Sequence, residues 1–164
     1  MNQIIKSIEL TLKNRNWVVA LIGCLTLPDI CGKIDEPQNP STLRYVNWFN
    51  KYLQDDYTSV LPEIGKHIFL TGDDCYALRC SYIHEGTTII EHPKVLEDFK
   101  FILPKNGSLF HRNQKNKTLY LQIDIFCKEM LNAVNNWLED IKMDSVKQKR
   151  LVKLFNLYDF PTTF

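Results

Sequence analysis

The sequence has almost no surplus of charge. Lys and Arg number 20 against 19 Asp and Glu, a formal net charge of +1 over 164 residues. That balance excludes a protein that coats nucleic acid through bulk positive charge, although it leaves room for a local basic patch. The five cysteines are odd in number and contain no CxxC pair, which argues against a disulfide framework or a zinc knuckle and for reduced, mostly buried thiols. No Gly-rich phosphate loop and no run with metal-ligand spacing is present, so neither a metal nor another cofactor is expected. Long hydrophobic runs are also missing. The longest covers residues 17–27, broken by Gly23 and Thr26, and falls short of the roughly 20 residues of a spanning helix. Lys6 and Glu9 interrupt residues 1–12 and no apolar signal core follows, so a cytoplasmic protein without membrane attachment is expected. Internal repeats and low-complexity segments are lacking too.

The composition is 45% hydrophobic and 24% charged, ordinary for a globular chain. The length suits one domain over residues 1–164, with a core of about 17–142 and a basic helix or tail over 143–164. Ile4, Ile5, Ile8 and Leu12 fall at helical spacing, and Asn14 and Asn16 end that helix. Asn16 is placed to cap a second helix over residues 17–27, which Pro28 stops. Asp29 then caps one further turn, closed by Gly32. Residues 33–40 read as a loop, and Ser41 caps a third helix whose apolar face carries Leu43, Val46, Trp48, Phe49 and Leu53. Residues 55–65 read as a polar connector with a short helix near Leu61.

Thr71 and Asp74 form a Thr-x-x-Asp capping box that opens a helix ending at Gly86. Beyond it the period changes to two: Phe99, Phe101 and Leu103, then Leu119, Leu121 and Ile123, with residues 108–110 as a possible strand and 113–117 as a turn. Together they predict a small antiparallel sheet inserted among helices. A long helix follows from about Asp124 to Lys142, with Phe126, Met130, Val134, Trp137, Leu138 and Ile141 on one stripe. Lys142, Lys147, Lys149, Arg150 and Lys153, interleaved with Leu151, Leu154 and Leu157, form a last amphipathic helix or a loose tail.

The chemistry-bearing segment is LTGDDCYALRCSYIHEG, residues 70–86. It places Arg79 and His84 five residues apart near one helix end. On an α-helix that separation is about 140° around and about 7.5 Å along the axis, so the two do not share a face. Bringing them together needs a helix end that unwinds at Gly86, the reach of the arginine, or a second copy packed antiparallel by two-fold symmetry. Arginine supplies a permanent charge and a planar donor fork for phosphate oxygens. Histidine gives or takes a proton near neutral pH, and the dipole of a helix C-terminus favours its protonated form. Without a ligand, the same residues read as an exposed arginine and a histidine that helps close the helix. Asp29 and Cys31 form a thiol–acid pairing on paper but read as helix-stop and packing residues. Arg44, Tyr45 and Trp48 could stack a base, although Tyr45 and Trp48 fit a core better. Lys105, His111, Arg112, Lys115 and Lys117 give the sheet a basic edge for RNA phosphates, or simply solvated turns. His67 and His92 have no evident partner.

The run RCSYIH, residues 79–84, resembles the Arg-x4-to-6-His motif of HEPN domains (higher eukaryotes and prokaryotes nucleotide-binding). LPDICG, RYVNWFNKYL and DDCYALRCSYIHEG, in that order, with FKFILP and LYLQIDIFCKEML after them, are similar to a bacterial branch of that superfamily over residues 17–141. The resemblance implies a mainly α, up-and-down helical bundle that forms a homodimer. It also implies a metal-independent ribonuclease, such as a toxin or defence effector restrained by an antitoxin-like protein. In such enzymes the arginine and histidine of both protomers line one cleft. Carried over, Arg79 holds phosphate and His84 is the acid or base. One departure is Cys80, where active members often carry Asn, Asp or His after the arginine. The alternatives are a non-catalytic module that binds RNA or a nucleotide, and a dimerising interaction protein.

Overall fold

A computed structural model describes residues 1–63, 65–90 and 96–154. The protein is mainly α-helical; the described residues form six helices, one π turn and two small sheets. Its centre is α2 (Trp17–Asp35), which packs against α1 (Asn2–Lys13), α3 (Ser41–Tyr52), α5 (Ile123–Asp140) and α6 (Ser145–Leu151). By length and composition α2 could cross a membrane. Half of its apolar stretch is nevertheless buried in the fold, and it serves as the core helix.

Pro28 does not stop this helix, contrary to the sequence reading: α2 runs on through Asp29 and Cys31 to Asp35. A proline within a helix removes one amide donor and crowds the carbonyl four residues back. Here burial outweighs that cost. Leu21, Leu25, Leu27, Pro28, Cys31 and Ile34 are all buried, and the Tyr45 hydroxyl donates to the Leu25 carbonyl at 3.3 Å. Gly32 is likewise no helix stop. A Cβ there would lie 2.7 Å from the Arg44 carbonyl oxygen, so the glycine sets how closely α3 crosses α2. Asn16 and Pro40 stand in the cap positions of α2 and α3, and neither helix has a side-chain cap bond. Ser41 is therefore the first helical residue rather than the cap.

The connector before α4 also departs from expectation. Instead of a helix near Leu61 it forms an antiparallel hairpin of β1 (Thr58–Leu61) and β2 (Gly65–Ile68). Val60 is exposed, so these strands lack the apolar alternation that would mark them. Backbone pairing holds them, with the Phe69 amide donating to the Tyr57 carbonyl at 2.8 Å. The second sheet is mixed, not antiparallel. Its order is β3 (Asp98–Ile102), β5 (Thr118–Gln122), β4 (Asn113–Lys115); β5 pairs parallel to β3 and antiparallel to β4. Phe99, Leu119 and Leu121 face the core, and this shared burial aligns β3 with β5. Residues 108–110 contribute only an isolated bridge from Ser108 to Lys105, with Leu109 and Phe110 exposed. Asn116, at φ 55°, turns the chain from β4 into β5.

The core gathers Tyr45, Phe49, Tyr57, Phe99, Phe126 and Trp137, all fully buried, from α3, both sheet regions and α5. Trp137 donates its indole N–H to Asp35 at 3.1 Å. Asp35 also takes Lys147 of α6 at 2.9 Å, so the end of α2 ties α5 and α6 together. The Asp144 side chain caps α6, accepting from the Val146 and Lys147 amides at 3.0 Å, which makes the basic stretch a helix as far as Leu151. His92 and Leu157, named above, lie outside the described residues.

Candidate functional site

Thr71 caps α4 (Gly72–Cys80): its hydroxyl accepts from the Asp74 amide at 3.1 Å and donates to the Asp74 carboxylate at 2.6 Å. The other Asp74 oxygen accepts from the Leu96 amide at 3.3 Å. The expected capping box is thus half formed, with its acid used to hold the segment that leads into β3. The helix then widens. Residues Ser81–Glu85 form a π turn, in which the repeat bonds five residues apart instead of four. Gly86 closes it at φ 71°, and its amide reaches the Ser81 and Tyr82 carbonyls.

The widening decides the site. It changes the angular relation of Arg79 and His84, and within one chain Arg79 Nη1 lies 3.0 Å from His84 Nε2. No second copy is required to bring the pair together. An arginine can only donate, so Nε2 is the acceptor and the ring proton sits on Nδ1.

Arg79 is held from behind. Its Nε donates to Asp29 of α2 at 2.8 Å, in an ion pair whose two side chains are each 21% exposed. Burial works against the guanidinium charge, but the Asp29 carboxylate and the neighbouring Cys80 more than offset it, leaving the arginine pKa raised. His84 is exposed, at the open edge of the pair. A carboxylate, a guanidinium and an imidazole are therefore linked one to the next, with the imidazole the most exposed. The sequence reading missed Asp29 as a member, having made it a cap. Its signal was an acid within an otherwise apolar helix, which needs a cationic partner when buried. Its pairing with Cys31 does not occur: burial, with Asp35 adding to it, pushes that thiol well up. Cys80 is half-buried, and the other four cysteines are buried; all five are free.

The remaining candidates fall away from this site. Tyr45 and Trp48 are buried and offer no face to a base. Burial raises Tyr45 well above its ordinary value, and burial also pushes Cys75 beside it to about 12. His111 and Arg112 are not a basic edge. The His111 side chain is 3% exposed; its Nδ1 accepts from the Gln122 amide at 3.1 Å and its Nε2 donates to Glu129 at 3.1 Å. Tyr57 donates to the same carboxylate at 2.6 Å, and Arg112 stands 3.7 Å from it. Lys117 pairs with Glu97. His67 bonds Gln114 at 3.0 Å, joining β2 to β4. Among the described residues no group of three or more His, Cys, Asp or Glu is arranged to hold a metal ion.

Comparison with known families, with curated proteins and with solved structures finds no match.

Proposed function

We propose that this chain is a HEPN-like, metal-independent ribonuclease that acts through Arg79 and His84. The observation that carries the reading is the 3.0 Å contact between Arg79 Nη1 and His84 Nε2 beside solvent. An imidazole nitrogen held by a fixed guanidinium at the solvent edge suits transfer of a proton from an RNA 2′-hydroxyl once that contact opens. As an incoming phosphate oxygen takes the arginine's donors, Nε2 is released to accept that proton. The 2′-oxygen then bonds to the adjacent phosphorus, the bond to the 5′-oxygen breaks, and the leaving oxygen takes up the proton that His84 now carries. Arg79, braced by Asp29, faces the charge that develops on the phosphoryl oxygens. In a homodimer a second Arg79–His84 pair would line the same cleft.

The test is cleavage of end-labelled RNA by purified protein in EDTA, beside His84→Ala and Arg79→Ala. The expected result is cutting that leaves cyclic-phosphate ends. Each variant should lose about 10²–10⁴-fold in rate, as befits a lost acid–base or charge-stabilising group. If the wild type is inert, or His84→Ala cuts equally well, the enzyme reading fails.

A second reading is a non-catalytic module that binds RNA or a nucleotide. The commitment of Arg79 Nε to Asp29 and of Nη1 to His84 favours it, since it leaves the imidazole without a free nitrogen lone pair at rest. Binding of RNA by His84→Ala with wild-type affinity, in the absence of turnover by either protein, would select that reading.

A further inference from the structure

A second basic feature lies on the other side of Asp29. A pocket of about 620 Å³ opens between the last turns of α2, the start of α3 and α6. Four cationic residues line it: Lys33, Arg44, Arg150 and Lys153. Its volume lies within the range of small-molecule sites.

Three of the four cations are held by backbone carbonyls and not by acids. Lys33 Nζ donates to the Pro37 carbonyl at 2.9 Å, Arg150 Nη1 to the Ile34 carbonyl at 2.7 Å, and Arg44 Nη1 to the Asn39 carbonyl. Such bonds fix direction and leave the charge uncompensated. Arg44 Nε is buried and has no partner at all. The nearby acids are already engaged: Asp29 with Arg79, Asp35 with Lys147, and Glu36 with Asn39 and Asn47. Among the described residues none of the four cations forms an ion pair with a carboxylate. The protein as a whole is almost neutral, so this concentration is local.

We infer that this pocket binds a nucleoside polyphosphate, with its phosphates among Arg44, Arg150, Lys33 and Lys153 and its base against the apolar wall of Ile30, Ile34 and Leu154. Four converging charges match a ligand that concentrates three or four negative charges. A nucleic-acid strand spreads its charge at one per nucleotide and would leave most of them unmatched. The arginines supply planar forks and the lysines supply mobile point charges at the mouth. Asp29 in the pocket wall would repel such a ligand unless neutralised, so Arg79 supports the pocket through its ion pair without entering it. This inference does not depend on cleavage at His84.

The experiment is titration calorimetry of the full chain in EDTA with ATP, AMP and inorganic tripolyphosphate, and with oligouridylate as a strand control. ATP should bind at least tenfold more tightly than AMP, and more tightly than tripolyphosphate. Lys33→Gln/Lys153→Gln, which alters two exposed side chains, should lower ATP affinity at least tenfold. Arg79→Ala should also weaken ATP, and Arg79→Ala/Asp29→Asn should recover most of the loss. His84→Ala should leave ATP affinity unchanged. Absence of saturable ATP binding by the wild type, or unaltered binding by the double lysine variant, overturns the inference. Equal affinity for tripolyphosphate overturns the nucleoside assignment. Oligouridylate binding that is sensitive to Lys33→Gln/Lys153→Gln where ATP does not bind overturns it in favour of a strand. Loss of RNA cleavage in His84→Ala with ATP binding intact would separate the two sites.

Discussion

Asp29→Ala tests whether the arginine is braced as its geometry indicates. The ion pair with Arg79 is short, at 2.8 Å, and four-fifths shielded on both sides. Exposed pairs contribute about 0–1 kcal/mol, and breaking a fully buried one costs about 3–5 kcal/mol because a charge is left stranded. A pair of this intermediate burial should fall between, at about 2 kcal/mol. For a chain of this size that lowers Tm by about 6 °C. Asp29→Asn keeps an acceptor for Nε–H and loses only the charge, so it should cost about half as much. Arg79→Ala leaves the carboxylate unpaired and should resemble Asp29→Ala. The double variant should cost less than the sum of the two by about 1–2 kcal/mol, since neither strands a charge in the other's absence. Urea unfolding of the four variants and the wild type, followed by circular dichroism, measures all of these terms. If Asp29→Ala is as stable as the wild type to within about 0.5 kcal/mol, or if the two single changes simply add, the pair does not brace the arginine.

Two further predictions concern the frame around the site. Burial raises Glu129, but hydrogen bonds from His111 and Tyr57 and the Arg112 charge more than offset it, so its folded pKa is lowered. The stability it contributes is full above the unfolded glutamate value, about 4.3, and is lost as pH falls through the folded value. Acid unfolding of Glu129→Gln should therefore be shallower than that of the wild type below about pH 4.5; parallel acid limbs would refute this. Gly32→Ala would set a Cβ 2.7 Å from the Arg44 carbonyl oxygen, a backbone atom that cannot rotate away. The helix-propensity gain of about 1 kcal/mol should be outweighed, for a net loss of about 1–2 kcal/mol in chemical denaturation. A stabilised Gly32→Ala would show that α3 can move away from α2.

The elements legible in the sequence were those that bury a regular stripe. Ile5 and Ile8, Tyr45 to Phe49, and Phe126 to Trp137 announced α1, α3 and α5 because each helix has one wet side. α2 has no wet side along half its length, so its extent had to be judged from Pro28, and burial of that proline overrode the local rule. The β1–β2 hairpin was illegible because its strands bury few side chains. The parallel pairing of β3 with β5 depends on how both lie against the core, which no local period records. At the site, Arg79 and His84 were legible as residue types and their contact was not. An ideal helix separates them, and nothing in SYIHE announces a π turn. The role of Asp29 was hidden by a plausible local use, capping, that the continuous helix leaves vacant.

The π turn has a consequence for how this motif tolerates change. A wide turn accommodates one residue more than an α-turn, so it acts as an absorbed insertion placed at the free end of α4. Everything upstream, from the Thr71 cap through Cys75 to Leu78, keeps the phase of an ordinary helix against α3, and only the outer edge is rephased. Loss or gain of a residue among positions 81–85 would thus be taken up by tightening or loosening one turn next to Gly86, without disturbing the packed interior. An alignment that confines gaps to loops would place His84 out of register with an equivalent histidine one residue nearer or farther. The spatial relation of base to cation can persist where the count between them does not.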